Sequence, residues 1–519
     1  MKNFAYAILI CFTFFSFAFA QTPGSLNPNF NATGWDTTYG NNNGFYLQKA
    51  LIQNDQKILV NAQALFSNEG HQAAIIRYNI DGTLDASFGG GDGMIRSKDD
   101  FDVYTRAYDM ALQSTGKIII AGDQFYNTER IIRLNTDGSL DLSFGDNGIA
   151  DFSRSNAEFI YKAAVQSDDK IIIVGQESRQ VSGSFQPHVF IWRLTANGSL
   201  DSTFGNNGVV SYADQTNFGS YLVINDLHVF EDDKILINHS FTSSVNTLVQ
   251  FRKFNANGSI DNTFGNEGIA LKTHRSNDGN YTYSNSDSDE NGNIFFTASI
   301  KDTINNNYSH HVYRFNSAGE LDNTFDTNLN YTTNFSKLIK IKIFGNKCYV
   351  LGKEQWENNS FDKIYCFTLN GASVANFGNN GIAIINQNNI QASSDGVFNI
   401  AANGNLYIAT AIQDLNSSEN IQFLVSNIIG FPYESTIGIN EVSTSSFNLF
   451  PCPANHTLNI NHTDFSSKDF SIRDLNGKLV YTFSSSNQST VLDISFLING
   501  LYFIQDLNNG NGISFIVQH

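Results

Sequence analysis

The pattern Gly-x-Leu-Asp-x-x-Phe-Gly-x-x-Gly, written in full by residues 138–148, recurs along most of the chain. From Phe to Phe, the spacings between successive copies are 58, 56, 60, 60, 61 and 52 residues. A nearly fixed period of this length indicates supersecondary units that bury their faces against their neighbours. The chain is therefore predicted to be a repeat protein over most of its length.

The copies differ in completeness. The copy that begins at Gly319 loses its trailing glycine, the copy that begins at Gly371 keeps Phe-Gly-x-x-Gly but loses Leu-Asp, and the first copy is the partial stretch Gly24–Gly34. The other copies begin at Gly82, Gly138, Gly198 and Gly258.

Between successive copies, the sequence is typical of four short strands. These are a short strand after the trailing glycine, a strand before a turn, an apolar strand after it such as Ile118–Ile120, and a strand such as Arg130–Leu134 that leads into the next copy. Seven such units without helical periodicity predict an all-β, seven-bladed β-propeller of about 60-residue repeats. Because the last unit lacks the motif and the chain starts with a partial copy, we expect strands from both ends to close the ring.

The two ends of the chain do not follow the repeat. Residues 1–20 have a basic start and an apolar run that ends in Ala18-Phe-Ala20, which predicts a signal peptide cleaved after Ala20. Residues 21–430 form the predicted propeller, and residues 431–446 a linker. In residues 447–519, short alternating strands separated by Asn-Gly turns predict a small Ig-like β-sandwich.

Charge and composition limit the partners. A formal net charge of -18 argues against nucleic acid and anionic membranes, which bind basic patches. No later segment approaches the roughly 20 apolar residues of a membrane-spanning helix, so we expect an exported monomer without an integral anchor. Cys348 and Cys366 flank a predicted hairpin, where they are either two buried thiols or a cross-strand disulfide.

Two sets of repeated residues are candidate sites. We expect the repeat Asp to set turns and the repeat Phe to pack between blades, although a ring of metal or sugar ligands is the alternative for the carboxylates. These residues are Asp85, Phe88, Asp141, Phe144, Asp201, Phe204, Asp261, Phe264, Asp322 and Phe325.

A basic residue lies eight positions before each of these Asp residues. In the copy at Gly371 both members change together, to Cys366 and Val374, which predicts an ion pair that stabilises each of the other blades, because an unpaired buried charge is costly. The proposed partners are Arg77, Arg133, Arg193, Lys253 and Arg314.

Two further patterns imitate metal sites. The stretch Asp287–Gly292 is similar to the opening of a calcium loop, but position 12 of that loop would be Ala298, so a hairpin turn is predicted. His310 and His311 are adjacent and would point to opposite faces of a strand, so a surface pair is predicted rather than a metal site.

The chain contains no recognised catalytic or phosphate-binding motif. We therefore expect no catalytic residue, no cofactor and no metal. The tryptophans sit in or beside blade strands, where core packing is expected rather than stacking on a sugar. They are Trp35, Trp192 and Trp356.

Both parts of the chain resemble known families. The repeated motif, with its upstream Asp-x-Lys-Ile strand, resembles the delta-60 repeat family of bacterial propeller-like proteins over residues 24–430. Residues 447–519 resemble the C-terminal sorting domain of the type IX secretion system of Bacteroidetes, on segments that include Pro451, Pro453, Gly477 and Gly500.

The tail departs from the sorting family in two places. Cys452 stands where the family has Asn between two prolines, and the chain ends in Val517-Gln-His instead of a basic finish. The resemblance implies export to the periplasm, recognition by the type IX machinery, and release from or attachment to the cell surface.

These observations favour an exported, non-enzymatic propeller that presents a binding surface for a glycan or a protein. One alternative is a secreted enzyme that acts on polysaccharide through carboxylates from different blades. Another is a structural component of the cell envelope. Ligand contacts are expected where the units differ, for example in the long loops between strands that are predicted at Gln176–Gln186 and Lys301–His310.

Overall fold

A computed structural model describes most of the chain, in two compact units divided between Tyr433 and Glu434. The predicted signal peptide and residues 432–446 of the predicted linker lie outside the described residues. No helix within the described ranges has both the length and the apolar character needed to cross a membrane. The described ranges are 23–32, 35–39, 44–66, 70–101, 105–124, 128–152, 158–181, 184–213, 221–242, 246–275, 280–301, 308–331, 335–356, 359–385, 390–392, 395–414, 421–431, 447–450, 454–462, 468–474, 479–485, 489–507 and 512–517.

The first unit is built from six four-stranded antiparallel sheets and one five-stranded sheet, which we number as blades. After β1 (Trp35–Tyr39), blades 1 to 3 contain β2 (Gly44–Ile52), β3 (Ile58–Phe66), β4 (Gly70–Tyr78), β5 (Met94–Arg96), β6 (Arg106–Leu112), β7 (Ile118–Gln124), β8 (Thr128–Leu134), β9 (Ile149–Phe152), β10 (Glu158–Val165), β11 (Ile171–Val181), β12 (Ser184–Leu194) and β13 (Val209–Ala213). Helix α1 (Ser97–Phe101) follows blade 1.

Blades 4 to 6 repeat this order. Their strands are β14 (Tyr221–Val229), β15 (Ile235–Thr242), β16 (Asn246–Phe254), β17 (Ile269–Arg275), β18 (Asn280–Ser288), β19 (Ile294–Lys301), β20 (Tyr308–Phe315), β21 (Leu321–Tyr331), β22 (Phe335–Phe344), β23 (Lys347–Trp356), β24 (Asn359–Thr368) and β25 (Ile382–Ile384). Blade 7 contains β26 (Ile390–Ala392), β27 (Val397–Ile400), β28 (Leu406–Asp414) and β29 (Ile421–Ile428).

The first strands of successive blades pack side by side in a closed ring, from β2 through β27 and back to β2. The second strands are apolar without alternation because both faces of each sheet are covered. Ile119 packs in a cluster with blade 3, whereas Ile118 and Ile120 pack in a cluster with blade 1. The fold is thus a seven-bladed β-propeller, as the repeat predicts.

The two ends of the propeller meet in blade 7. Strand β1 pairs antiparallel with β29, with Thr37 opposite Leu424. Just before it, the Gly24 amide donates to the Ile429 carbonyl at 2.7 Å. The predicted closure by strands from both ends is confirmed, and the partial first copy of the motif belongs to blade 7.

The predicted strand order within a unit is wrong in one respect. The short strand after the trailing glycine pairs with the strand that precedes the motif, as in Ile75 opposite Ile95 of blade 1. It is therefore the outer strand of the preceding blade and not the first strand of the next one. The motif is the loop that joins the third and fourth strands of one sheet, since the strand after it returns antiparallel to the strand before it.

The second unit consists of two antiparallel sheets that share one apolar cluster, which includes Leu458, Phe470 and Phe515. Gly500 begins a strand, while the sorting-motif residues Pro451, Pro453 and Gly477 lie outside the described residues. The strands are β30 (Phe447–Phe450), β31 (Thr457–His462), β32 (Lys468–Arg473), β33 (Leu479–Ser485), β34 (Ser489–Asp493), β35 (Gly500–Asp506) and β36 (Gly512–Val517).

Cys348 and Cys366 are both free thiols. Cys348 pairs with Phe367 and Tyr349 pairs with Cys366, so the two thiols lie on opposite faces of the blade 6 sheet. They pack in different apolar clusters, and burial raises the pKa of Cys366 to about 12. Of the two predicted alternatives, the buried thiols are correct.

Candidate functional site

The motif loops of neighbouring blades are joined by the same two contacts. In blade 2, the Gly145 amide donates to the Asn197 carbonyl of blade 3 at 2.9 Å. The buried Phe144 ring packs against Gly198, where an added Cβ would lie 2.8 Å from the ring. Gly198 also has φ +89°, so the position requires glycine for its conformation and for the close approach of the ring.

Equivalent contacts continue around most of the propeller. The pairs Phe30 and Gly82, Phe88 and Gly138, Phe204 and Gly258, and Phe264 and Gly319 repeat the packing of the ring on the glycine. The Gly378 amide of blade 6 donates to the Pro23 carbonyl at 2.7 Å, so the N-terminal segment takes its place in the series. We call the motif loops of blades 1 to 5 the belt.

The repeat Asp of blade 2 is held by two cations and a hydroxyl group. Asp141 Oδ2 accepts from Arg133 Nε at 2.6 Å and from Lys117 Nζ at 2.7 Å, and its Oδ1 accepts from Ser143 Oγ at 2.7 Å. Burial opposes ionisation, but these hydrogen bonds outweigh it and lower the pKa of Asp141. The carboxylate is fully engaged within the belt.

The same arginine connects two blades. Arg133 Nη1 donates to the Ala196 carbonyl in the belt of blade 3, and its guanidinium lies 4.8 Å from the centroid of Phe144. A single side chain therefore links the Asp and Phe of its own blade to the next blade. The planar guanidinium, with five donors, suits this arrangement.

The other predicted pairs agree with this geometry in three of four cases. Arg77 Nε lies 2.6 Å from Asp85, Arg193 Nε lies 2.8 Å from Asp201, and Arg314 pairs with Asp322. The predicted pair between Lys253 and Asp261 does not form, although the structure describes both residues. Lys253 Nζ instead lies 4.4 Å from the ring of Phe230, and Lys234 binds Asp261 at 3.1 Å.

Blades 6 and 7 keep the backbone of the belt but change its side chains. The Val374 amide donates to the Cys366 carbonyl at 3.0 Å, and the Asn27 amide donates to the Asn427 carbonyl at 2.9 Å, as Asp141 does to Arg133. Asn427 and Asn27 thus occupy the positions of the basic and acidic partners. We call blades 6 and 7, together with residues 23–32 and β1, the seam.

Different polar contacts join the two blades of the seam. The Thr410 hydroxyl of blade 7 donates to Asp362 Oδ2 of blade 6 at 2.5 Å, and Lys337 Nζ lies 2.6 Å from Asp395. Burial raises the pKa of Asp362 to about 6, against the opposing effects of Thr410 and Lys353. A shallow pocket nearby is lined in part by Lys337 and Lys353. The one carboxylate among its lining residues, Glu354, is paired with Lys363 of the same blade.

A second set of charged residues lies on the first strands, around the propeller axis. Each first strand of blades 1 to 6 contains a β-bulge with at least one polar residue at or beside it, and we take one such residue from each blade. We call these residues the axial ring: Lys49, Asp109, Lys162, Asp226, Asn285 and Lys340.

The two carboxylates of the axial ring are satisfied by neighbouring blades. Asp109 binds Lys49 Nζ at 2.9 Å and the Ala163 amide at 2.9 Å. Asp226 accepts from Asn285 Nδ2 at 2.8 Å, and further from a backbone amide of blade 5. Neither carboxylate is free to act as a base.

The lysines of the axial ring have fewer opposite charges close to them than the two carboxylates have. Burial, followed by the charges of Lys342, Lys49 and Lys162, lowers the pKa of Lys340 to about 7, and Asp226 opposes this effect only in part. The lysines of blades 1, 3 and 6 therefore act on one another across the axis. Sequence reasoning missed this set, although its members in blades 1 to 5 all lie eight residues before the Lys or Asn that precedes the second strand.

The remaining predicted features have structural roles where the structure describes them. Asp289 binds the amides of Asn291 and Asn293 within a turn, in agreement with the predicted hairpin turn. The predicted surface position of His310 is wrong, because this side chain is buried and bonded to Ser299 at 2.9 Å.

Trp192 is buried in the core, whereas the side chains of Trp35 and Trp356 lie outside the described set. The stretch Gln176–Gln186, predicted to be a loop, is mostly strand because β11 extends to Val181 and β12 begins at Ser184. In the stretch Lys301–His310, residues 302–307 are outside the described ranges.

Two family descriptions match parts of the chain. A domain of unknown function, DUF5122, described as a beta-propeller, matches residues 53–88, 113–144 and 166–204. A secretion system C-terminal sorting domain matches residues 448–517. No curated protein matches the chain.

Several solved structures are similar in fold at low identity. The β-propeller domain of the Trilobed protease from Pyrococcus furiosus is 9% identical over 74% of this chain and 94% of that chain, with a TM-score of 0.41. An acylaminoacyl peptidase from Pyrococcus horikoshii is 10% identical over 82% of this chain and 59% of that chain, with a TM-score of 0.39. An aldose sugar dehydrogenase from Streptomyces coelicolor is 8% identical over 62% of this chain and 94% of that chain, with a TM-score of 0.34.

Proposed function

We propose that this secreted chain, which carries DUF5122 β-propeller repeats and a type IX C-terminal sorting domain, is a non-enzymatic module that binds an extracellular glycan. The sorting domain routes the chain out of the cell, and the propeller supplies the binding surface. A protein ligand is the second candidate.

The observation that carries this proposal is the use of the repeated polar residues. In blades 1 to 3, the repeat Asp is bound by an arginine, a lysine and a hydroxyl group, as for Asp141. These residues stabilise the contacts between blades, and none of the repeat aspartates of blades 1 to 3 is left free to act as a catalytic base. The polar residues at the bulges of the first strands, by contrast, differ in type and charge from blade to blade.

An exposed aromatic residue supports a glycan as the ligand. Tyr46 lies on the first strand of blade 1, three residues before Lys49, and 52% of its surface is accessible. It is close to the end of the strand that lies away from the belt. An exposed tyrosine offers a sugar ring an apolar face together with a polar tip.

A glycan array tests the proposal on the full chain and on matched variants. We expect Tyr46→Ala to reduce glycan binding at least tenfold without lowering Tm. Leu142→Ala is the control, because Leu142 is 66% exposed but lies in the belt. It should bind like the parent chain.

Asp141→Ala provides the complementary comparison. It should lower Tm but leave glycan binding unchanged at temperatures where the variant is folded. Loss of binding without loss of stability would instead make the repeat Asp a ligand residue. Hydrolysis of an arrayed polysaccharide would overturn the non-enzymatic proposal, and binding of none of the glycans would overturn the glycan ligand.

A further inference from the structure

The axial ring combines a local excess of positive charge with a chain that is strongly acidic as a whole. Its members carry three lysines and two aspartates, and Lys342 adds a fourth cation beside Lys340. Lys342 is itself 3.7 Å from Asp287, so its charge is partly balanced. The arrangement comes from separate blades, because each first strand contributes one residue at its bulge.

The lysines of the axial ring differ in whether a carboxylate pairs with them. Lys49 is paired with Asp109 at 2.9 Å. Lys162 and Lys340 have no carboxylate within 4 Å among the residues that the structure describes, and Asp226, the other ring carboxylate, is bound by blade 5. Two cations near the axis therefore lack a direct counter-charge.

The burial of Lys340 makes the lack of a paired carboxylate energetically important. Lys340 is only partly accessible, and its ordinary protonated form is disfavoured by burial and by three neighbouring lysines. A desolvated cation without a partner is costly, and an anion that enters the site removes part of that cost. Ammonium groups from different blades around one axis suit a compact group with several oxygen atoms.

We propose that the axial ring binds an oxyanion, a sulfate, phosphate or carboxylate group, through Lys162 and Lys340. This inference deepens the proposed glycan-binding function, since such groups occur on acidic sugars as well as free in solution. The site is part of the ligand-binding surface of the propeller.

Calorimetric titration of the full chain with sodium sulfate, inorganic phosphate and a glucuronate oligosaccharide, at constant ionic strength, tests the proposal. We expect Lys340→Met to weaken binding at least tenfold. Lys272→Met is the matched control, because Lys272 is also half-buried but lies on the outer strand of blade 4, 4.6 Å from the ring of Tyr313. Unchanged binding by Lys340→Met, or no binding of any probe to the parent chain, would overturn the proposal.

The dependence of binding on pH gives a second measurement. The charges that act on Lys340 are Lys342 on its own strand and Lys49, Lys162 and Asp226 on other first strands, and Asp287 of blade 5 lies 3.7 Å from Lys342. Because the pKa of Lys340 is near 7, its charge is lost as the pH rises above 7, and we expect oxyanion affinity to fall between pH 7 and pH 9. Lys340→Arg keeps its charge and should bind equally at both values. An equal fall in Lys340→Arg would contradict the role of Lys340.

The probes also distinguish the sources of the oxyanion. Binding of glucuronate oligosaccharide at least tenfold tighter than sulfate identifies an acidic glycan, whereas equal binding of free sulfate or phosphate identifies an inorganic anion site. If Tyr46→Ala removes binding of neutral glycans while no probe of this titration binds, the oxyanion site fails and the proposed function stands.

Discussion

The belt of blades 1 to 3 and the seam have the same backbone but different side chains. In blade 2, the Asp141 amide donates to the Arg133 carbonyl at 2.9 Å, and in blade 7 the Asn27 amide donates to the Asn427 carbonyl at 2.9 Å. The buried Phe of the motif is present in both places. The Phe, its glycine neighbour and the backbone turn therefore define the contact between blades, and the ion pair is an addition that some blades omit.

The absence of the ion pair from blade 6 agrees with the energetics of buried ion pairs. Removing one member of a buried ion pair leaves an uncompensated charge and costs about 3–5 kcal/mol, whereas replacing both members with apolar residues is often nearly neutral. Blade 6 replaces both members, with Cys366 and Val374. In blade 6 the two members are therefore lost together, whereas in blade 4 Asp261 keeps a counter-charge because Lys234 binds it at 3.1 Å.

The largest expected effects come from the shared Phe residues. Phe30→Ala in the seam and Phe144→Ala in the belt should each lower the free energy of unfolding by about 3–5 kcal/mol, because each removes a fully buried ring that packs against a glycine of the next blade. Chemical denaturation measures both. Costs that differ by more than about 2 kcal/mol would break the proposed equivalence of belt and seam.

The second prediction concerns the ion pair of blade 2. Asp141→Ala leaves Arg133 and Lys117 without their carboxylate and should cost about 3 kcal/mol. The double variant Arg133→Cys with Asp141→Val reproduces the residues of blade 6, and we expect it to cost at least about 1 kcal/mol less than the single variant.

Asp137→Ala is the control for this series, because Asp137 is exposed in the same motif loop and binds only Ser139 there. Its effect should stay within about 1 kcal/mol. A double variant that is less stable than Asp141→Ala would show that the pair is not optional in the belt.

The third prediction separates belt and seam by pH. The pKa of Asp141 is lowered in the folded state, so its contribution to stability is present above the unfolded pKa of about 3.9 and is lost as the pH falls. The pKa of Asp362 is raised to about 6, so its contribution is present at low pH and is lost as the pH rises through 6.

The variants Asp141→Asn and Asp362→Asn should therefore respond to pH in opposite senses. Asp141→Asn should be destabilised at pH 7, and its difference from the parent chain should begin to shrink only as the pH falls below about 4. Asp362→Asn keeps an oxygen acceptor for Thr410 and should gain about 1–3 kcal/mol relative to the parent at pH 8, with no gain at pH 4. Thermal unfolding from pH 3 to pH 8 measures both effects, and parallel curves would contradict the prediction.

The smallest effect is expected at the cysteines of the seam. Because Cys348 and Cys366 lie on opposite faces of one sheet, a reducing agent should leave the Tm of the full chain unchanged. Peptide mapping after treatment of the native protein with a thiol reagent should find both residues unlabelled, since their thiols are buried. A drop in Tm on reduction would show that they are bonded.

Much of the propeller can be predicted from the sequence because its repeat is regular. The number of blades, the closing role of the N-terminal segment and most of the ion pairs follow from the spacing of Gly, Asp and Phe. The sequence does not show which blade the strand after the motif joins. A strand such as Met94–Arg96 could pair with the strand that precedes the motif or with the strand that follows it. Only the pairing in three dimensions decides this.

The exceptions have physical reasons. Lys253 carries the same charge as Arg133, but its single ammonium group lacks the planar fork and lies over aromatic rings instead. His310 is polar but buried, because Ser299 provides a hydrogen bond in the core. The axial ring could not be recognised in the sequence for two reasons. Bulges place its residues around one axis, and the six positions do not share one residue type.

The pairing of β1 with β29 has a consequence for the order of events during synthesis. A chain is synthesised from its N-terminus. Nearly four hundred residues are therefore added after β1 before its partner strand β29, at Ile421–Ile428, has been made. The sorting domain at residues 448–517 comes after that partner in the chain. When the sorting domain has been synthesised, every strand needed to close the ring is already present. The sorting domain therefore cannot be recognised before the propeller is able to close.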